Sequence, residues 1–317
     1  MTMNNNFLNN LLNSISVSGY EEQVQDIVEE EMKDYVDEVR RDEMQNVTCV
    51  INPNSDIRIM LSAHADEIGL MISNIREDGR LQVIDRGGIV PSTYPGHAIS
   101  IKTSKGIVYG VVEAYRELFK EKDLGTKQFL IDIGAKDRED ALSYVSIGDP
   151  IVLDTTIRKL ANDKFTARAL DDRLGVYIIM EAIKRAKKQG CTVGVYAAST
   201  TGEETTKTGA YWTSTRINPS MAIVVDVTYT SDCSGMDPAE MGTVLLGGGP
   251  VLCNSPIVVK ALNTKMEECA KTAGIQIQRE AASRLSYTDG DKIHFSNQGV
   301  PTVLVSIPLR YMHMPAE

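Results

Sequence analysis

Residues 61–70 read LSAHADEIGL and put His64 two residues before Asp66. In an extended chain, side chains two apart share a face, so this carboxylate can lie beside the imidazole and hold one ring nitrogen. That is how a metal-binding histidine is usually oriented. Other acidic and imidazole groups occupy comparable places. Asp171 and Asp172 stand in ALDDRLG, just before an apolar helical stretch; Glu203 and Glu204 follow the apolar run VGVYAAST; Asp226 lies inside AIVVDVT; His313 closes VLVSIPLRYMH. Taken singly, the aspartates also suit a helix N-terminus, the glutamates a solvated loop, and His313 a packed position. Asp226 is harder to place so simply: ionised and unpaired within an apolar strand it would be costly, so it needs a cation, a metal or strong donors.

Together, two histidines and several carboxylates suit a hard or borderline metal site. Two zinc ions need about three protein ligands each, and one carboxylate can bridge both, so five side chains suffice. His64, Asp171, Glu204, Asp226 and His313 supply them. Glu203, beside a ligand but not required as one, is left as a general base toward an attacking water, and Asp66 is left to fix His64.

The elements that must position these groups are legible in the apolar periodicity. SGYEEQVQDIVEEEM offers Ser18 as a helix cap with Glu21 three residues later, so an amphipathic helix is expected from near Gly19. NVTCVINPNSDIRIMLSAH reads as two strands about the turn NPNSD, the second ending just before His64. From Glu67 to about Asn162, short alternating β-like runs are punctuated by Gly and Pro, and no helix longer than about three turns is expected. Beyond it lie an apolar-striped helix from ALDDRLG to KKQG, the strands TVGVYAAST and AIVVDVT, a helix from PIVVKAL to KTAG, and the strand PTVLVSIP. Strands alternating with helices imply an α/β core with a mostly parallel sheet, whose strand carboxyl ends open on one edge, where such proteins place ligands. The expected organisation is an α/β domain of residues 1–65 and 163–317, interrupted by a β-rich insert at 66–162.

Composition narrows the partners. The 317 residues, 42% of them hydrophobic, can bury a sizeable core. The 43 acidic residues against 33 basic ones give a net charge of -10, which argues against nucleic acid or an anionic membrane surface as partner. No window approaches 18 uninterrupted apolar residues, the first residues lack a signal peptide's basic start and apolar core, and five scattered cysteines form no Cys-x-x-Cys pair. A cytoplasmic location with reduced cysteines is expected. GGGP at 247–250 reads as a turn, and His97 and His294 as structural.

The stretches SGYEE, SAHADEIGLMI, ARALDDRLG, TTGEE, VVDVT, GGGPVL, TDGDKIH and SIPLRYMHMPAE occur in this order along nearly the whole chain. In them the chain resembles the tetrahedral aminopeptidases, cytosolic dinuclear metallopeptidases that include glutamyl and lysyl aminopeptidases and relatives labelled endoglucanases. The resemblance implies a zinc-peptidase (phosphorylase/hydrolase-like) catalytic domain, two divalent ions per chain, zinc or cobalt, and a peptide substrate. It implies one metal held by His64 and Glu204 and the other by Asp226 and His313, with Asp171 bridging, Glu203 as base, and a cis peptide between Asp171 and Asp172. The insert would be a PDZ-like dimerisation domain, and dimers would build a dodecamer. The chain departs from the family pattern at Gly202, Thr205 and Thr206 and in GGIVPSTYPGH.

Two rival readings use the same ligands. A carboxypeptidase or deacylase would need a cation for a substrate carboxylate, for which Arg173 and Arg310 are candidates. A non-catalytic assembly protein would keep the fold with a degenerate site. Glycosidase action fits poorly, because the carboxylates are spent on metal.

Overall fold

The computed structural model describes residues 6–317, so the first five residues of the stretch 1–65 lie outside the described ones. Helices α1 (Asn6–Asn13) and α2 (Glu22–Met32) lead into strands β1 (Glu38–Arg41), β2 (Val47–Ile51) and β3 (Arg58–His64). Next come β4 (Gly69–Ile75), β5 (Leu81–Arg86), β6 (Ala98–Thr103), β7 (Gly106–Val112), β8 (Leu130–Asp132), the short helix α3 (Arg138–Tyr144) and β9 (Pro150–Leu153). The hairpin β10 (Arg158–Lys159) and β11 (Phe165–Thr166) returns the chain to the long helix α4 (Leu170–Lys188). After it follow β12 (Gly194–Thr200), α5 (Thr208–Ile217), β13 (Met221–Tyr229), α6 (Pro238–Met241), β14 (Val251–Asn254), α7 (Lys260–Thr272), β15 (Gln278–Ala281), α8 (Gly290–Ile293) and β16 (Thr302–Leu309).

The large sheet has the order β1-β2-β12-β3-β13-β16-β14-β15. Its centre, β12-β3-β13-β16, is parallel, whereas β2 joins β12 and β14 joins β16 antiparallel. The mostly parallel sheet read from the sequence is therefore mixed, with antiparallel flanks. Continuous apolar runs such as VYAAS in β12 bury both faces, as a sheet covered on both sides requires. One face packs on α4, where Val176, Ile179, Met180 and Ile183 recur at helical spacing and meet Val24 and Val28 of α2. The other face, with Met60, Tyr196 and Val224, packs on α5 and α8.

Two local readings change. Ser18 does not cap α2: Glu21 occupies the cap position, and its side chain makes no capping hydrogen bond. Ser18 Oγ instead lies 2.8 Å from Thr205 Oγ1, a tertiary partner that outcompetes the local cap. His64 is the last residue of β3 rather than the residue beyond it.

Residues 69–153 form a closed, antiparallel, six-stranded barrel in the order β4-β5-β8-β7-β6-β9. Leu70, Ile72, Ile99, Ile101, Ile131 and Ile151 fill its interior from alternate strand positions. The β-rich character expected here is met, and α3 is only two turns long. The strand pairing is that of a closed barrel and does not single out a PDZ-like arrangement. At the junction, a Cβ on Gly69 would come within 2.6 Å of the Ile151 carbonyl and 2.7 Å of Val17, so only glycine lets β4 start there. No described helix is long and apolar enough to cross a membrane, and the five cysteines are free thiols.

A buried charge cluster ties the start of the barrel to α1 and α4. Glu67 accepts from Arg173 at 2.7 Å and directly from Arg168, and burial's penalty on its carboxylate is outweighed by these two guanidinium groups, which hold its pKa below the ordinary value. Arg173, wholly buried, also donates to the carbonyls of Leu11, Ser14 and Ala65. Removing one partner of such a pair strands a buried charge. Arg173→Met is therefore expected to lose about 3–5 kcal/mol of stability by chemical denaturation, and a loss below about 1 kcal/mol, the surface-pair scale, would refute the role given to the cluster.

Candidate metal centre

The sheet register brings the candidate ligands to one level. Thr200 pairs with His64, Ser62 with Val224, and Asp226 with Ser306, so the ends of four neighbouring strands meet beside His64. Glu203 and Glu204 lie just past β12, and His313 lies four residues past β16.

Asp171 stands at the centre. Its Oδ1 is 3.1 Å from His64 Nε2 and its Oδ2 is 3.4 Å from His313 Nε2. Ligand atoms fall into two groups within which all lie inside 4.8 Å of one another: His64, Asp171 and Asp226 form one, and Asp171, Glu204 and His313 the other. Asp171 belongs to both, which is the placement of a bridging carboxylate. The division differs from the one expected: His64 goes with Asp226, because β3 and β13 are sheet neighbours, and Glu204 goes with His313, whose Nε2 is 3.7 Å from Glu204 Oε2. The Asp171–Asp172 peptide is cis.

Asp66 lies where its position next to His64 suggested. Its carbonyl and Oδ1 are 3.2 and 3.4 Å from His64 Nδ1. The same carboxylate accepts from the backbone N–H of Glu203 at 3.0 Å and of Glu204 at 3.1 Å, so it orients the histidine and fixes both glutamates. Asp172 is not a candidate ligand. Its carboxyl accepts from Gly175 N at 3.1 Å, capping the regular part of α4, and a Cβ on Gly175 would sit 2.2 Å from that oxygen.

The electrostatics fit a cation. Burial pushes the carboxyls of Glu204, Asp226 and Asp172 well above the ordinary carboxylate range, and nearby carboxylates push them further. Burial also disfavours charge on His64 and Asp171. For His64, hydrogen bonds donated by the imidazolium to Asp171 and Asp66 outweigh it and raise the pKa; for Asp171, the two histidines outweigh it and lower the pKa. Three carboxyl groups, of Asp171, Glu204 and Asp226, and two imidazoles, gathered in two groups that share Asp171, form a donor set suited to divalent ions.

Four further residues serve the centre and were missed in the sequence. Lys207, four residues after Glu203, bonds its carboxylate directly and donates to the Tyr287 carbonyl at 2.7 Å. Glu317, four after His313, accepts from His313 N at 3.0 Å and Asp171 N at 3.2 Å. Glu21 accepts from Gly202 N at 3.0 Å and braces the loop ahead of the glutamates. Asp289 accepts from Thr200 Oγ1 at 2.5 Å behind His64, and its other oxygen has no hydrogen-bond partner. Spacings of four residues were the available signal for Lys207 and Glu317; Asp289 lies in the quoted stretch TDGDKIH, which gave it no role.

Both cations considered for a substrate carboxylate are engaged. Arg173 is consumed by Glu67 and three carbonyls, and Arg310 pairs with Asp232 at 2.8 Å. His294 bonds the Gly290 carbonyl at 3.0 Å and His97 is exposed, away from the ligand groups.

A family model described as M42 glutamyl aminopeptidase matches residues 45–317. The lysyl aminopeptidase of Pyrococcus furiosus is 32% identical over 317 residues, covering 97% of this chain and 89% of its own length. Among solved structures, the TET aminopeptidase of the marine archaeon Thaumarchaeota archaeon SCGC AB-539-E09 superposes with a TM-score of 0.91 at 31% identity, covering 98% of this chain and 89% of its own. The TET1 peptidase of Pyrococcus horikoshii, described as able to assemble into a tetrahedron or a large octahedral shell, superposes with a TM-score of 0.86 at 30% identity, covering 98% and 92%.

The raised carboxyl groups fix the sign of a pH dependence. Burial and the charge of Asp66 raise Glu21 to about 7, and burial with the charge of Asp171 raises Glu317 to about 8. A carboxyl whose folded pKa exceeds its unfolded value stabilises fully below the unfolded value and loses that contribution as pH rises through the folded one. The chelated protein should thus lose stability between about pH 5 and about pH 8, followed by thermal unfolding, and zinc or cobalt should restore it most at the alkaline end. A chelated protein equally stable across that window, with no metal response, would contradict a cation-seeking cluster.

Proposed function

Because the chain belongs to the M42 glutamyl aminopeptidase family and is an aminopeptidase, a hydrolase of peptide bonds, we propose that it removes N-terminal residues from short peptides with two divalent ions, zinc or cobalt. One ion would be held by His64 and Asp226 and the other by Glu204 and His313, with Asp171 shared by both groups. The observation that carries this reading is the pair of ligand groups sharing Asp171, with Glu203 Oε2 only 3.9 Å from His64 Nε2. Bound there, the ions would polarise the scissile carbonyl and make a water more acidic.

The chain's own residues do the rest. Glu203 accepts the proton of the attacking water and returns it to the leaving amine. Burial raises its pKa, while His64 and Lys207 limit the rise, which leaves a carboxylate that can both take and give a proton. Asp66 keeps base and ligand in register through three hydrogen-bonding contacts. Carboxylates at the ligand edge bind the free amino terminus, which directs cleavage to the first residue. The engaged Arg173 and Arg310 leave a carboxypeptidase without its carboxylate clamp.

The catalytic machinery is assigned to residues 1–65 and 163–317 and assembly to the insert at 66–162. Exposed Ile107, Tyr109, Val111 and Phe119 give the barrel an apolar outer surface suited to contacts between copies. Together with the TET1 peptidase structures, described as a dodecamer and as a tetrahedron or octahedral shell, this supports a homo-oligomer; we assign it to dimers building a dodecamer in the cytoplasm, where its free thiols stay reduced.

Glu203→Gln tests the base. It should lower kcat on a leucyl or lysyl anilide by about 100-fold or more while metal analysis still finds two ions per chain. Retained turnover would move the base elsewhere. Asp171→Asn should instead lose both ions, which separates bridging from proton transfer.

A further inference from the structure

One residue beyond Asp226, the wall of β13 opens onto a cavity of about 390 Å³. Val227 and Thr228 line its near side, and Tyr287 and Thr288 line it where the chain approaches Lys207 and Asp289. The cavity is therefore lined by the residue after a candidate ligand, Asp226, and by Tyr287, whose carbonyl accepts from the Lys207 that holds Glu203. A peptide whose amino terminus lies on the ligand carboxylates would direct its first side chain here.

Within this cavity stands one carboxylate, Glu280 on β15. Its Oε2 accepts from Thr228 Oγ1 at 2.5 Å and its Oε1 from Ser306 Oγ at 3.1 Å. Ser306 is the register partner of Asp226, and Thr228 is two residues beyond it on the same face, so Glu280 is held one short step from the centre. Two hydroxyl donors fix the carboxylate but bring no positive charge, and no Lys or Arg side chain pairs with Glu280 among the described residues. A carboxylate has acceptor capacity beyond two hydroxyls. Leu304 and Cys253 provide apolar wall for a methylene stem.

We propose that this cavity receives the side chain of the substrate's first residue and that Glu280 selects a basic one, lysine or arginine, by supplying the counter-charge. The inference rests on the aminopeptidase reading and deepens it. Arg284, exposed at the same cavity, is the competing element, since it would favour an acidic side chain. A second cavity, of about 410 Å³, lies against Leu170, Leu174 and Glu317 and is the apolar competitor.

The test is kcat/KM of the metal-loaded enzyme on the p-nitroanilides of lysine, arginine, norleucine, leucine and glutamate. Norleucine keeps much of lysine's stem without the ammonium group, so the comparison needs no variant. Lysine and arginine should exceed norleucine by about tenfold or more, the scale of one charge-assisted hydrogen bond. Glu280→Gln should reduce that ratio by a similar factor, and Glu280→Asp should keep part of it. Three results overturn the proposal: parity of lysine and norleucine in the unmodified enzyme, an equal fall for every substrate in Glu280→Gln, or a preference for glutamate that Arg284→Ala removes. Failure to cleave any aminoacyl anilide would instead remove the aminopeptidase reading itself, a distinguishable outcome.

Discussion

Like charges buried together are the constraint on which the rest of this molecule depends. Asp171, Asp226, Glu203, Asp172 and Asp66 are all nearly inaccessible to solvent at the carboxyl edge of one sheet, and Glu204 lies among them. Desolvation and mutual repulsion both oppose ionisation in such a cluster. The protein answers locally where it can. Asp66 is satisfied by two backbone N–H groups and His64, Asp172 by the start of α4, and Glu203 by Lys207. Asp226 and Glu204 receive far less: among the described residues, Asp226 accepts only from the neighbouring Val227 N–H at 2.7 Å. The uncompensated carboxyls are the ones grouped with the histidines, and the deficit of positive charge therefore sits where ions are proposed to bind.

The surrounding architecture can be understood as holding that cluster rigid. The parallel centre of the sheet delivers His64 and Asp226 from adjacent strands, whose positions are fixed by buried apolar partners on both faces. The less regular contributors, on the loops after β12 and β16, are clamped by polar contacts instead. Glu21 and Ser18 hold Gly202 and Thr205, and Glu317 holds the backbone of Asp171 and His313. Gly202, in this clamp, adopts a positive φ of 68°, and its N–H meets Glu21.

What the sequence disclosed follows from what periodicity encodes. Apolar runs marked the strands, and a polar residue at the end of each run marked its chemistry, so His64, Glu203, Glu204, Asp226 and His313 were all readable. Their grouping was not. Which ligand neighbours which depends on strand order, and nothing local says that β3 lies between β12 and β13. The same ignorance hid the antiparallel flanks, made of short strands, and the barrel's closure, which needs β9 to pair with β4 some eighty residues earlier in the chain. Ser18 was misread because its serine-to-glutamate spacing fits a helix cap equally well, and only the arrival of Thr205 decides otherwise. The role of Asp289, within TDGDKIH, was silent because its partner Thr200 is remote along the chain.

Glu203 and Glu204 show how adjacent, chemically identical side chains come to differ. Asp66 accepts from the backbone N–H of both, which fixes the peptide between them and sends the two carboxyls apart. Glu204 points toward His313, among carboxylates, and is driven strongly toward its protonated form unless a cation arrives. Glu203 points toward His64 and Lys207, whose charges temper the effect of burial. A ligand must surrender its proton for good to the ion it binds, whereas a base must take a proton and release it again. The division of roles thus follows from the neighbours each carboxyl meets, and Lys207 extends it outward: the same ammonium group that tempers Glu203 is anchored on the Tyr287 carbonyl at the edge of the Glu280 cavity. The base and the wall of that cavity are in this way held by one side chain.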